Sequence, residues 1–184
     1  MRTNLIRFFM FLMITSIAIP AAIPTAAAPG SKSTAATYAD ASAQYAPTAM
    51  ECSMLSKINA YRKSKGLKAL KLSKSLGAAA KNHSNEMASY NYASHTLLNG
   101  VTWSQNITNF GYPTNTFRGE NIAAGNSGAI ATLDQWKNSP SHNATMLNSN
   151  YTVIGIGRAV NSSSDNRWYW TTTFGGTVDR TVSC

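Results

Sequence analysis

Two runs near the end of the chain, Val153-Ile154-Gly155-Ile156-Gly157 and Trp168-Tyr169-Trp170-Thr171-Thr172-Thr173-Phe174, are rich in β-formers and apolar on both faces. Successive strand side chains point to opposite sides, so such a pair needs cover on both. Asn161-Ser162-Ser163-Ser164-Asp165-Asn166 between them is turn chemistry, which joins the runs into a hairpin. The cover must come from upstream, where the period is helical. Residues 49–64 place Leu55, Ile58 and Arg62 at helical spacing, with Tyr61 close to that face and Gly66 as a stop. After a short connection over residues 67–72, a second helix runs from about Ser73 to Ser89, with the stripe Leu76, Ala80, His83, Met87 and Tyr90 facing inward. Residues 96–117 read as loop with short helical turns, and residues 118–124 as a strand. A helix over residues 127–137 carries Ile130, Leu133 and Trp136. Ser139-Pro140 then opens a short helix through Leu147. Helices followed by an antiparallel sheet make an α+β arrangement.

The start of the chain is different. Arg2 and Arg7 precede an uncharged apolar run from Phe8 to about Ala22, followed by Thr25-Ala26-Ala27-Ala28. This predicts a secretory signal peptide over residues 1–28 rather than an anchor, because Pro20 and Pro24 interrupt a run that must reach about 20 apolar residues to span a bilayer. No later segment is apolar enough to span. Residues 29–47, rich in Ala, Ser, Thr and Tyr, read as a flexible linker or pro-segment, and residues 48–184 as one compact domain. Export favours a disulfide between the two cysteines, Cys52 and Cys184, worth up to about 4–5 kcal/mol in chain entropy; free thiols or an intermolecular link are the alternatives. Five Asn-x-Ser/Thr sequons begin at Asn82, Asn106, Asn143, Asn150 and Asn161.

The formal charge of +9 falls to +7 once the leader is removed, and eight of the basic residues lie in Lys57–Lys81 with no acid among them. That stretch reads first as a solvated face and second as a surface for anionic polymers. No nucleic-acid signature accompanies it, and export argues against such a partner. Acids are scarce, so Glu120, the only one between Glu86 and Asp134, stands out in a stretch of small and apolar residues. A buried carboxylate needs partners. His95 and His142 lie at element ends, where functional groups concentrate, while His83, on the inward stripe, reads as a packed core histidine. Spacing alone leaves surface histidines and a structural glutamate as the ordinary reading. No HExxH, GxSxG, Walker A or GxGxxG pattern occurs.

Six segments in order resemble the CAP superfamily, the SCP-like extracellular domains of cysteine-rich secretory, antigen 5 and pathogenesis-related 1 proteins. They are Ile58-Asn59-Ala60-Tyr61-Arg62; Leu76 to Met87 with Tyr92-Ala93-Ser94-His95; Gly119-Glu120-Asn121-Ile122-Ala123; Trp136 to Leu147 in the W-x-x-S-P-x-H-x-x-x-x-L form of shorter microbial members; Tyr151 to Gly157; and Tyr169 to Gly175. The resemblance implies a three-layer α-β-α sandwich with a central antiparallel sheet. It also implies a cleft where two His and two acids converge, matched here by His95, Glu120 and His142. The fourth position falls on Ser139, so the acid pair is incomplete. Two imidazoles and a carboxylate are a donor set for zinc or another divalent cation, with His95, His142 and Glu120 as ligands.

The expected function is that of a secreted, extracellular, monomeric binding module without turnover. The family's sterol- and fatty-acid-binding members imply a small hydrophobic ligand, for which Trp103, Phe110, Tyr112 and Phe117 are the local candidates. A surface partner at the His/Glu cleft is the other form of this reading. The first alternative is a divalent-metal-assisted hydrolase using His95, Glu120 and His142. The second is adhesion to an anionic cell-surface polymer.

Overall fold

The computed structural model describes residues 34–184, so the leader expected over residues 1–28 lies outside the described residues. Helices α1 (Thr34–Gln44), α2 (Ala49–Ser64), α3 (Lys74–Tyr90), α4 (Trp103–Asn109), α5 (Ala129–Lys137) and α6 (Pro140–Met146) accompany strands β1 (Lys71–Ser73), β2 (Arg118–Ala124), β3 (Val153–Val160), β4 (Trp168–Gly175) and β5 (Thr181–Val182). The sheet order is β2-β4-β3-β1-β5. Its three longest strands pair antiparallel, Glu120 opposite Thr173 and Gly155 opposite Thr173, while the short β1 runs parallel to β3. The α+β sandwich is as expected, and the one parallel pair makes its sheet mixed.

Strand alternation decides what each helix layer meets. One face of β3 and β4 presents Gly155, Gly157, Thr171 and Thr173 to α3. A Cβ at Gly155 would lie inside the backbone of Leu76, and one at Gly157 inside that of Ala80. The helix therefore rests on the sheet almost backbone to backbone. Thr173 Oγ1 donates to Leu76 O at 2.9 Å, and Ser84 Oγ donates to Gly157 O at 3.0 Å. The opposite face is bulky. Ile154, Ile156, Trp170 and Phe174 pack with Met54 and Ile58 of α2, Leu133 and Trp136 of α5 and Met146 of α6 in one buried cluster. Of Ile130, Leu133 and Trp136 on α5, Ile130 is 61% exposed, because the buried stripe of that helix runs through Ala129, Thr132, Leu133 and Trp136.

Caps set the ends of α2 and α3. Thr48 and Glu51 form a reciprocal capping box, and Ser73 Oγ accepts from Leu76 N. Glu51 is fully buried. It also accepts from Lys81 Nζ and Arg158 N, both at 2.9 Å, so one carboxylate ties α2 to α3 and β3. Arg118 O and Ile122 O on edge strand β2 accept from Tyr151 Oη and Trp136 Nε1, which occupies part of an otherwise open edge.

The segment expected as a flexible linker or pro-segment is ordered over its described part. Residues 34–44 are helical, Ser42 Oγ donates to Phe110 O, and Tyr45 is buried with its hydroxyl on Ile156 O at 2.8 Å. Composition pointed to disorder because branched aliphatics are absent. The burial comes instead from Tyr38, edge-on to Phe110, and from Tyr45, whose ring fills the space left by the missing side chain of Gly77. Cys52 and Cys184 form the disulfide, with Cα atoms 5.6 Å apart across 132 residues, which fastens the end of the chain to α2.

Candidate functional site

Glu120 opposes Thr173, and so projects from the sheet face that carries α3. The inward stripe of α3 brings His83 to the same place. The Glu120 carboxylate, 1% exposed, is divided between two imidazoles: Oε2 lies 2.8 Å from His83 Nδ1 and Oε1 lies 2.8 Å from His95 Nδ1. His83 Nε2 lies 2.9 Å from Ser94 O. A carbonyl oxygen only accepts, so Nε2 carries a proton, and a second proton lies in the contact between Nδ1 and Oε2. His83 is fully buried. It was read from sequence as core packing; the structure makes it the innermost member of this cluster. The available signal was chemical: a histidine on an apolar stripe must find a hydrogen-bond partner, and acids are few.

His95 follows the left-handed C-cap Asn91 and the turn after α3, and its side chain is 49% exposed. The hydrogen bond to Glu120, and secondarily the charge of Glu120, raise its pKa above the ordinary 6.5 against the opposing effect of burial. With Nδ1 committed to the carboxylate, Nε2 is left open.

His142 sits in α6, on the far side of β2. Asn121, which projects from the sheet face opposite to Glu120, donates from Nδ2 to His142 O at 3.0 Å. The two neighbouring residues of one edge strand thus hold the two halves of the site, Glu120 the α3 side and Asn121 the α6 side. Burial, and then the nearby charge of His95, lower the His142 pKa below 6.5. Its Nδ1 is buried without a hydrogen-bond partner. Ser139 caps α6 without a side-chain cap bond, and its hydroxyl lies 3.3 Å from that of Ser141 rather than on Glu120 or a histidine.

The set brought together is therefore His83, Glu120 and His95, with His142 alongside. Among the described residues no three His, Cys, Asp or Glu side chains converge as a metal-holding group. Glu120 oxygens face imidazole nitrogens instead. What the donors do fit is a site of two imidazoles, His95 and His142, with Glu120 behind His95 in the orienting position that carboxylates take behind metal-bound histidines. Of the aromatic candidates, Phe110 and Tyr112 are buried and Trp103 is partly buried against their cluster, so these three are core packing; Phe117 is 57% exposed.

A family model for CAP, the cysteine-rich secretory protein family, matches residues 55–174. The YkwD protein of Bacillus subtilis (strain 168) is 32% identical over 135 residues, which are 73% of this chain and 50% of that protein. The membrane protein YlbC of the same organism is 31% identical over 60% of this chain and 32% of its own length. The chain thus spans half or less of these curated relatives. Among solved structures, an outer surface protein of Borrelia burgdorferi superposes with a TM-score of 0.59 at 28% identity, over 66% of this chain and 88% of that one. An extracellular SCP-domain protein of Bacillus anthracis gives 0.60 at 27% identity, over 68% of this chain and 39% of that one. The matched span contains α3, β2, α6 and the β3–β4 hairpin, the elements that carry the cluster, and the chain belongs to the CAP family of cysteine-rich secretory proteins.

Proposed function

We propose that this chain is a secreted CAP-domain binding module, in which the His/Glu cluster presents His95 and His142 to a ligand or surface partner without turning it over. The observation that carries this reading is the division of the Glu120 carboxylate between His83 and His95. A carboxylate with both oxygens engaged is suited to orienting imidazoles rather than to abstracting a proton from a substrate. Rigid support from a buried shell is what a recognition site needs. Export rests on the predicted leader and on the extracellular and outer-surface character of the two similar proteins named above. No described helix is long and apolar enough to cross a membrane. A sterol or fatty acid remains the hydrophobic form of the ligand, now supported by exposed Phe117, which lines a concavity of about 450 Å³ with Asn115 and Thr116.

The test is a ligand-and-metal inventory of the secreted protein by native mass spectrometry, with His95→Ala as comparison. The expected result is a bound small molecule or partner whose occupancy falls in the variant. Turnover of an exported substrate that vanishes in Glu120→Gln would refute the reading. One observation favours a second reading, metal-assisted hydrolysis: the buried, unpartnered Nδ1 of His142 beside His95. His95 and His142 would hold zinc or a similar ion, which supplies an acidified water when bound. Elemental analysis that finds no metal at neutral pH removes this alternative.

A further inference from the structure

The eight basic residues of Lys57–Lys81 have different fates. Lys81 pairs with buried Glu51. Lys74 donates to Ala43 O, and Lys57 lines a concavity that also contains Asp134. Arg62 is 1% exposed and meets no carboxylate among the described residues. Its guanidinium is held by backbone carbonyls alone: Nε donates to Lys68 O at 3.0 Å, Nη1 to Met146 O at 2.6 Å and Asn148 O at 3.0 Å, and Nη2 to Tyr151 O at 3.5 Å.

Two of those carbonyls, of Lys68 and Tyr151, belong to opposite walls of a groove, and those of Met146 and Asn148 lie just before the second wall in sequence. One wall is Gly66 to Lys71 and the other is Ser149 to Thr152, with Val178 at the side; the concavity measures about 460 Å³. Buried Arg62 bonds one carbonyl of each wall, which ties the walls to each other and preforms the groove. Lys68 and Lys71, both exposed, line it. A buried guanidinium without a counter-charge, bonded to both walls, adds a positive potential to the groove that solvent screens poorly. The acid next to the groove in sequence, Asp179, has both carboxylate oxygens buried without a hydrogen-bond partner, and its charge helps to raise the Tyr112 pKa.

We propose that this groove is a binding site for a linear polyanion carrying phosphate or sulfate ester groups, with Lys68 and Lys71 contacting the anionic groups and Arg62 holding the walls and adding positive potential behind them. The site is independent of the His/Glu cluster and shares no residue with it.

The test uses two probes in separate calorimetric titrations, poly(glycerol phosphate) and dextran sulfate, against the full folded chain. A groove variant, Lys68→Gln with Lys71→Gln, is compared with a charge-matched control, Lys57→Gln with Lys63→Gln. Circular dichroism and thermal unfolding verify that both fold. The expected result is a loss of about tenfold or more in the groove variant and less than about threefold in the control, with a shallower salt dependence only in the former. The probe bound more tightly identifies the source of the anion. Equal losses in the two variants mean a diffuse field and no site. That result, or no binding of either probe at low salt, overturns the proposal.

Discussion

Replacing Glu120 by Gln and by Ala separates the hydrogen-bonding role of this carboxylate from its charge. His83 Nε2–H is committed to Ser94 O, so a neutral His83 offers the lone pair of Nδ1. The amide of Gln can donate to that lone pair while its carbonyl accepts from His95 Nδ1–H. Glu120→Gln thus exchanges two charge-assisted bonds for two neutral ones. A hydrogen bond to a charged group contributes about 1.5–3 kcal/mol and a neutral one about 0.5–1.5 kcal/mol. The half-exposed His95 pair adds about 1 kcal/mol at most. The expected loss is therefore about 1–2 kcal/mol. Glu120→Ala leaves Nδ1 of a fully buried imidazole with nothing to meet, and costs about 3–5 kcal/mol. Urea unfolding at pH 7 measures both. Equal losses in the two variants would refute the partner exchange, and a loss below about 1 kcal/mol for Ala would refute the view of Glu120 as a buried anchor.

The two outer histidines predict opposite pH slopes. The raised His95 pKa gives stability that is complete below pH 6.5 and is lost as pH rises through the folded value; the depressed His142 pKa gives stability present above 6.5 and lost as pH falls through its folded value. Glu120→Gln removes the first, so the stability gap between it and the parent narrows as pH rises above the His95 pKa, as unfolding titrations check. Gly155→Ala forces α3 off the sheet and is expected to cost more than the usual 1–3 kcal/mol of an overpacked core, read as a lost or broadened thermal transition. Reducing the Cys52–Cys184 bridge opens a loop of 132 residues, worth up to about 5 kcal/mol in chain entropy; a melting temperature unchanged by reductant would contradict that. In a glycosylating host, Asn143 and Asn150 are the sequons expected to be modified, because Asn106 is buried with its Nδ2 on Ala79 O, Asn82 and Asn161 also donate from Nδ2, and Asn143 only accepts, through Oδ1 from Tyr61 Oη; peptide mapping decides it.

Much of the site was legible because its chemistry is rare in this composition. Glu120 stood out as a lone acid, and His95 stood out at the end of a helix, and the two do meet. His83 was missed because its helical stripe explained it sufficiently: Leu76, Ala80 and Met87 make any residue in register look like packing. Ser139 stands at the family's fourth cleft position, and its hydroxyl lies 3.3 Å from that of Ser141. The linker reading failed at Tyr38 and Tyr45, since two aromatic rings can bury enough area to order a segment that has no branched aliphatics.

Sequence by itself determined the layers. Helical stripes over α2 and α3, and strands apolar on both faces, admit few arrangements other than a covered sheet, because each periodicity fixes which side chains share a face. Only the tertiary structure decided which charges meet. Whether Glu120 turns to the α3 side and Asn121 to the α6 side depends on the register of β2 against β4, and a slip of one residue would exchange them. Likewise, eight positive charges in one stretch read alike along the chain. Folding buried Arg62 among carbonyls, paired Lys81 with Glu51 and left Lys68 and Lys71 lining a groove, because burial and partnership are set by neighbours distant in sequence.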